Sequence, residues 1–560
     1  MHETRRWLTA AALWILIAIT ITPARADEVD TSEVGAYILQ AEMALQRGDY
    51  LMAAQEYRKA ADLSDDPDVA RQAVVVSMAY GFDREALAAA KRWHKLDKSS
   101  NEARIYIAQL SFRLGDLKTA RREYSYLVEK GDEPPGDTLV ALIRYLSEDG
   151  DPEDADKLMR SLARPYPKSS QAHYAAATMA LRAGDADYAV KSASRAIELN
   201  PDNLQSRLLY ARALLASGEP DKAIEYTARI IGDDPDPDPD ARMELAIMYM
   251  MVDREDDALS QVNQVLLEQS GRMDALRLMA IINFHKGHLD AAWDDFHDLL
   301  ASGQYRTDAL YYLGRIADYR SEYDRAIRFY SEVRQGSYAL PSQQRAAALL
   351  IHENDDLQGA MQLLDEFADA SPSNAIPVLV AKAQLFASIK EYEEALELYD
   401  RALSFDADNE SAALSRADVL LQMGRMDEAL DAFAAAARRW PKSAMALNAY
   451  GYTLADRTDR YREAEKLIRK ALRYDPDSPA IIDSLGWVLF KLGRYEEALV
   501  ELERAYDGLP DPEVAAHIVE TLVALDRKDE ALERLEAAEA KTPDSPLLKD
   551  TRERLFADAE

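Results

Sequence analysis

The sequence predicts an all-α chain, a solenoid of about fifteen paired-helix repeats closed by a C-terminal capping helix. Three observations carry this. An alanine returns as Ala53, Ala86, Ala120, Ala155, Ala189, Ala223, Ala258, Ala292, Ala326, Ala360, Ala395, Ala429, Ala464, Ala498 and Ala531, at intervals of 33 to 35 residues. A second small residue precedes it by twelve positions, as in Ala41, Ala108, Ala177, Ala211, Ala246, Ala280, Gly314, Ala348, Ala383, Ala417 and Gly486. Proline follows it by twelve in Pro167, Pro201, Pro235, Pro372, Pro441, Pro476, Pro510 and Pro543, where it ends a helix. Helices approach closely only where side chains are small, so the two small positions mark where the members of a pair cross.

Composition agrees. With 560 residues and 48% apolar residues the chain can bury a large core, and its 21 Gly and 22 Pro are too few for a loop-rich fold. No cysteine is present, which removes disulfides, thiolate metal sites, cysteine nucleophiles and lipid-modified cysteines together. The 100 acidic residues against 67 basic ones give a formal charge of -33, which opposes binding to nucleic acid or to anionic lipid.

In chain order, residues 1–26 read as a secretory signal. Arg5 and Arg6 precede an apolar run from Trp7 to Ile21, then Pro23 and Ala24-Arg25-Ala26, and cleavage would leave Asp27 first. The apolar run is shorter than the roughly 20 residues of a membrane span. Removing it takes away three basic residues and one acidic residue and deepens the charge to about -35. Residues 27–33 are a linker, 34–544 the repeat array, and 545–560, after Pro543, a polar capping helix.

Each repeat turns at a glycine five places before its alanine, as in Gly115-Asp116-Leu117-Lys118-Thr119-Ala120, with Asp253, Ser321, Asp355, Lys390, Asp459 and Asp526 in place of that glycine elsewhere. A 34-residue period of this pattern resembles the tetratricopeptide repeat. The resemblance implies helix-turn-helix units stacked into a right-handed superhelix, with stability drawn from neighbour interfaces and a long inner surface for peptides or partner helices.

No catalytic constellation emerges. His285, His288 and His297 lie near Asp290, Asp294 and Asp298 but fall at a turn and in the next helix, without metal-ligand spacing. The acidic run Asp233-Asp234-Pro235-Asp236-Pro237-Asp238-Pro239-Asp240 has Ala241 and Ile247 where a calcium loop needs glycine and a bidentate glutamate, and its prolines make a stiff linker. No phosphate-cradling glycine loop, HExxH or GxSxG sequence occurs. The expectation is a non-enzyme without metal or cofactor.

The tetratricopeptide resemblance places partner-binding residues on the first helix of each pair. That register selects Met243, Met250 and Met251 in repeat seven, Tyr311, Arg315 and Tyr319 in repeat nine, and Asp483, Trp487 and Phe490 in repeat fourteen. Methionines suit an adaptable surface, whereas aromatics and arginine are common binding anchors.

The stretch from Leu447-Asn448-Ala449-Tyr450-Gly451-Tyr452 to Thr458, then Ile482-Asp483-Ser484-Leu485-Gly486-Trp487 to Phe490, and Pro510-Asp511-Pro512-Glu513-Val514-Ala515-Ala516-His517 is more individual. It resembles the LbcA-type tetratricopeptide proteins of Gram-negative bacteria, and it adds Asn448 and Tyr452 to the groove candidates. The resemblance implies a periplasmic adaptor for a carboxyl-terminal processing protease, a serine protease whose substrates include cell-wall hydrolases. Those adaptors are typically lipoproteins, and the absence of cysteine removes that membrane anchor. The other expectation is a structural part of an envelope machine exporting polysaccharide or protein.

Overall fold

The computed structural model describes residues 33–148 and 150–556. The signal segment and most of the 27–33 linker lie outside them. The described residues form thirty-one α-helices and one short 3₁₀ turn, with no strand among them. Thirty of the helices follow one another as fifteen pairs. The last, Pro546–Phe556, caps the array by burying Leu548 and Thr551 and presenting Lys549, Asp550 and Glu553 to solvent.

Local chemistry starts and stops each helix. Ser100, Ser169 and Ser443 accept hydrogen bonds from the backbone N–H groups of Ala103, Ala172 and Ala446, each at 3.1 Å, while Asp116 and Asp185 do the same for second helices at 3.0 and 3.1 Å. Pro67, Pro152, Pro220, Pro239, Pro479 and Pro512 occupy the first helical turn, where no donor is needed. At the turn within a pair the chain bonds back across a left-handed residue, as from Asp185 N to Ala180 O and from Arg494 N to Leu489 O, each at 2.9 Å. Five of the six residues expected to replace the turn glycine, Asp253, Ser321, Asp355, Lys390 and Asp526, take φ between 53 and 65°. Asp459 does not, because the turn of repeat thirteen leaves its helix through an extended Thr458 instead.

The repeating alanine is the fourth residue of every second helix, and all fifteen copies are 0% exposed. The second small position is equally tight. A Cβ on Gly486 would lie 2.5 Å from Leu502, and one on Gly314 would lie 2.8 Å from the ring of Tyr330. Repeats two, four and fifteen carry Val74, Ile143 and Val519 at the second position, and two others shift it. In repeat ten a four-residue turn, Glu353 to Asp356, shifts the crossing by one, so Ala347 is the fully buried residue and Ala348 is only partly covered. In repeat thirteen Gly451, thirteen places before Ala464, takes the role; a Cβ there would meet Ile468 at 2.7 Å.

The chain divides into two compact units, Met1–Gly287 and His288–Glu560. In the first unit, one apolar cluster runs through Tyr124, Leu139, Leu146, Met159 and Met179, and a separate one holds Val262 and Ile282. The acidic run between repeats six and seven is irregular, and its carboxylates serve the backbone. Asp234 accepts from Asp236 N at 3.0 Å, and Asp238 caps the next helix through Asp240 N at 2.8 Å. In the second unit one apolar cluster extends from Ala383 to Ala498. There the first helices of successive pairs touch from Ala339–His352 through Pro512–Ala524, so they lie on the inside of the stack.

The scarcer basic residues link neighbouring repeats. Arg272 reaches Asp240 at 2.5 Å, Lys286 reaches Asp256 at 2.7 Å, Arg439 reaches Asp408 at 2.7 Å and Arg494 reaches Glu465 at 2.8 Å. Such exposed pairs each contribute little, about 0–1 kcal/mol. They pin register rather than supply most of the stability.

Two substitutions test this packing. Gly486→Ala should destabilise the last repeats by about 1–3 kcal/mol through overpacking against Leu502. Lys390→Gly should stabilise the chain by roughly 0.5–1 kcal/mol by relieving a side chain held at φ 65°. Urea unfolding of both variants, with hydrogen exchange to localise the change, measures each.

Candidate functional site

The three groups of sequence-selected residues meet different fates. In repeat seven Met243 is buried, Met250 is half-buried on the same core, and Met251, at the helix end, is 64% exposed. They form no common surface, because positions 243 and 250 face the second helix of their own pair. The expectation of a methionine groove is corrected to one exposed methionine beside a core pair.

In repeat nine Tyr311 stacks on Tyr338 with centroids 4.1 Å apart and planes 4° apart, and the Arg315 guanidinium lies 5.7 Å from the Tyr311 centroid. Tyr319 stands apart at 79% exposure. The second helix of this pair, Tyr323–Ser331, has only nine residues. The chain beyond it is held by fully buried Gln343, whose amide N–H₂ points at the carbonyls of Tyr330, Ser331 and Val333 at 3.1, 3.2 and 2.9 Å. That irregular stretch delivers Tyr338 to Tyr311. The result is an aromatic platform with an exposed arginine, and Gln343 and Tyr338 are the parts that the repeat register does not reveal.

The most developed site lies in the second unit on the first helices of repeats thirteen (Ala444–Arg457), fourteen (Pro479–Lys491) and fifteen (Pro512–Ala524). It joins Asn448, Tyr452, Asp483, Trp487 and Phe490 and adds Glu513 and His517. His517 Nδ1 lies 2.9 Å from Asp483 Oδ1, with both side chains less than 10% exposed. Trp487 stacks on the His517 ring at 4.1 Å and on Phe490 at 5.0 Å, and Lys491 Nζ stands 4.2 Å from its centroid. The Tyr452 hydroxyl donates to Glu513 Oε1 at 2.6 Å across 61 residues of sequence, from repeat thirteen to repeat fifteen. That bond joins the helices on either side of Pro479–Lys491.

The pairing of Asp483 with His517 and the stacking of Trp487 on His517 and Phe490 explain a correction. Asp483 and Trp487 are each 6% exposed, so neither lies open in a groove as the register implies; Phe490 is half-buried against the core. The arrangement is also not fully satisfied. Trp487 Nε1 and Asn448 Oδ1 are buried without a hydrogen-bond partner, at a typical cost of about 1–3 kcal/mol each. Three carboxylates act on the Tyr452 phenol. Burial, the bond to Glu513 and the charges of Glu513, Asp456 and Asp483 hold it protonated well above the ordinary tyrosine range.

His285, His288 and His297 build no metal centre. His297 packs edge-on to Trp293 at 4.8 Å, and no group of three or more His, Asp or Glu among the described residues is arranged to hold a metal. No described helix is long and apolar enough to cross a membrane.

Paired helices crossing at small residues and stacked on their neighbours define a repeat scaffold of the kind that presents surfaces to other proteins. Family models described as tetratricopeptide repeat match residues 140–203, 180–243, 376–409, 414–479, 457–516 and 489–555. TPR repeat-containing protein PA4667 of Pseudomonas aeruginosa is 30% identical over 497 residues, spanning 86% of this chain and 81% of that protein. The chain belongs to the tetratricopeptide-repeat family. Among solved structures it is similar to yeast Tom70, at 15% identity and a TM-score of 0.35 over 94% of this chain and 95% of that one. A chain of the APC/C hetero-tetramer Cut9–Hcn1 gives 15% identity and a TM-score of 0.35 over 94% and 97%. The Thermus thermophilus TPR protein TTC0263 gives 22% identity and 0.30 over 32% and 97%.

Trp487→Ala should cost about 3–5 kcal/mol, as for a large buried aromatic, and thermal unfolding measures it. A melting curve like that of the unaltered chain would put the ring on an open surface. The neutral Tyr452 phenol should also make the last repeats alkali-sensitive. Its folded value lies above the ordinary 10.0, so its contribution is complete below about pH 10 and is lost as pH rises through the folded value. Tyr452→Phe should flatten that alkaline limb.

Proposed function

We propose that this chain is a non-catalytic periplasmic scaffold that binds a carboxyl-terminal processing protease and the proteins it cuts. Tetratricopeptide repeats imply protein partners in general. One observation supports the finer reading. The most elaborate side-chain cluster, from Asn448 to His517, falls in the stretches whose residues resemble the LbcA-type adaptors. A solenoid does not need a buried Asp–His pair, a tyrosine reaching over two repeats and an unpartnered indole to stand up.

The mechanism is effective concentration. A body that holds a protease at one place and a substrate at another makes their encounter intramolecular, worth 10²- to 10⁴-fold in favourable geometry, without touching the protease's chemistry. The acidic surface steers basic partners towards the scaffold at low ionic strength and less so beyond a screening length of about 8 Å near physiological salt. Export rests on residues 1–26, whose arginines, apolar run and Ala24-Arg25-Ala26 site match a cleavable signal.

The test uses the chain from Asp27 onward. Mixed with a purified protease of this class and a cell-wall hydrolase, it should co-elute with the protease and speed cleavage at sub-saturating substrate. Absence of binding at micromolar concentration together with an unchanged cleavage rate would reject the adaptor. Capture of export-machine components from a periplasmic extract in place of a protease would also reject it.

A further inference from the structure

The Tyr452–Glu513 bond joins the first and third of three successive first helices. We propose that the inner face of repeats thirteen to fifteen is a clasp that opens to admit an extended segment carrying a lysine or arginine, whose cation replaces the Tyr452 hydroxyl on the Glu513 carboxylate.

Four observations converge on that ligand chemistry. The acceptor of that bond is a carboxylate, and the phenol is a neutral donor that a charged donor outcompetes in a charge-assisted hydrogen bond. Asp456 and Asp483 lie near the same phenol but are paired with Arg457 at 2.7 Å and His517 at 2.9 Å, so an incoming cation is directed to Glu513. Trp487 is 94% removed from solvent by its 6% exposure, yet its indole N–H has no partner. Asn448, on the neighbouring helix, has a buried Oδ1 with no donor. One spare donor and one spare acceptor suit the C=O and N–H of an extended peptide backbone, while the Glu513 carboxylate suits its side chain.

The nearby cations do not already fill this role. Lys491 lies over the Trp487 ring, and Arg554, on the capping helix, reaches Glu520 at 2.6 Å. His517 is committed to Asp483 at 2.9 Å and to the face of Trp487. Opening the clasp therefore requires one hydrogen bond to break and leaves the Asp–His pair and the ring stack standing as the floor.

This reading deepens the scaffold function by naming what a captured segment looks like, but its test uses no protease, so the two stand or fall separately. The probe is a fluorescein-labelled peptide of three Ser-Lys-Ala units, and fluorescence anisotropy at about 0.15 M salt reads its affinity. Tyr452→Phe removes the competing hydroxyl and should tighten binding by about threefold or more. Glu513→Gln should weaken it by about fivefold or more. Asp544→Asn removes one equally negative but fully exposed charge outside the clasp and should change little. Melting curves report whether each variant is folded. Affinity unchanged or weaker in folded Tyr452→Phe would overturn the proposal, as would a Glu513→Gln effect no larger than that of Asp544→Asn. The Glu513→Gln comparison decides the matter if Tyr452→Phe loosens the last repeats.

Discussion

Everything in this molecule depends on how closely two helices can cross. The fourth residue of each second helix is an alanine with no exposed surface, and it recurs fifteen times. At that point a methyl group sets the distance between the helices of a pair, and packing at the density of a protein interior leaves no room for another carbon. Once the crossing is fixed, the larger side chains seven and more residues away find the same neighbours in every repeat. The stack then grows by nearest-neighbour contacts. Where one helix must come closer still, the side chain disappears altogether, as at Gly314, Gly451 and Gly486.

The same constraint determines which features of the chain are free to vary. Residues that make the crossing are used up by the fold. The parts that differ from repeat to repeat lie on the first helices and in the places where the pattern is interrupted. Repeat nine shows this well. Its second helix stops after nine residues, Gln343 ties down the stretch that follows, and the gain is a tyrosine stacked on Tyr311 beside Arg315. Repeats thirteen to fifteen keep the paired helices and the buried alanine and instead change what is carried on them, placing carboxylates, an imidazole and an indole on their first helices.

How much of this was legible in the sequence follows from the range of each interaction. The period, the paired helices and the capping helix are set by neighbours within one repeat, and they can be read directly. The slip at repeat ten was not legible, because an extra residue in a turn moves the crossing from Ala348 to Ala347 without changing the composition of either helix. Asp459 looked like the other glycine replacements but sits in a turn that needs no left-handed residue. The candidate residues lie on first helices, while the side chains they meet belong to repeats 34 and 61 residues away. Helical register places Trp487 on an inner face; it cannot show that His517 of the next repeat stacks on its ring. One signal for the missing partner was present. Asp483 and His517 are separated by one repeat length, and an acid and a histidine at the period of a solenoid are candidates for a contact between successive first helices.

This end of the chain also separates two jobs that a scaffold must do. Effective concentration works only if the body between two bound partners keeps its geometry, which favours a stack whose crossings cannot adjust. Recognition works only if some local contact can be exchanged for a contact with the partner. In the last three repeats these demands fall on different atoms. The alanine and glycine crossings, Asp483 with His517, and the Trp487 stack are buried and mutually supporting, so they hold the backbone. The Tyr452–Glu513 bond is one hydrogen bond between two helices that are otherwise held by the helix between them, so it can be lost without disturbing a crossing. Rigidity is carried by the residues that repeat, and selectivity by those that do not.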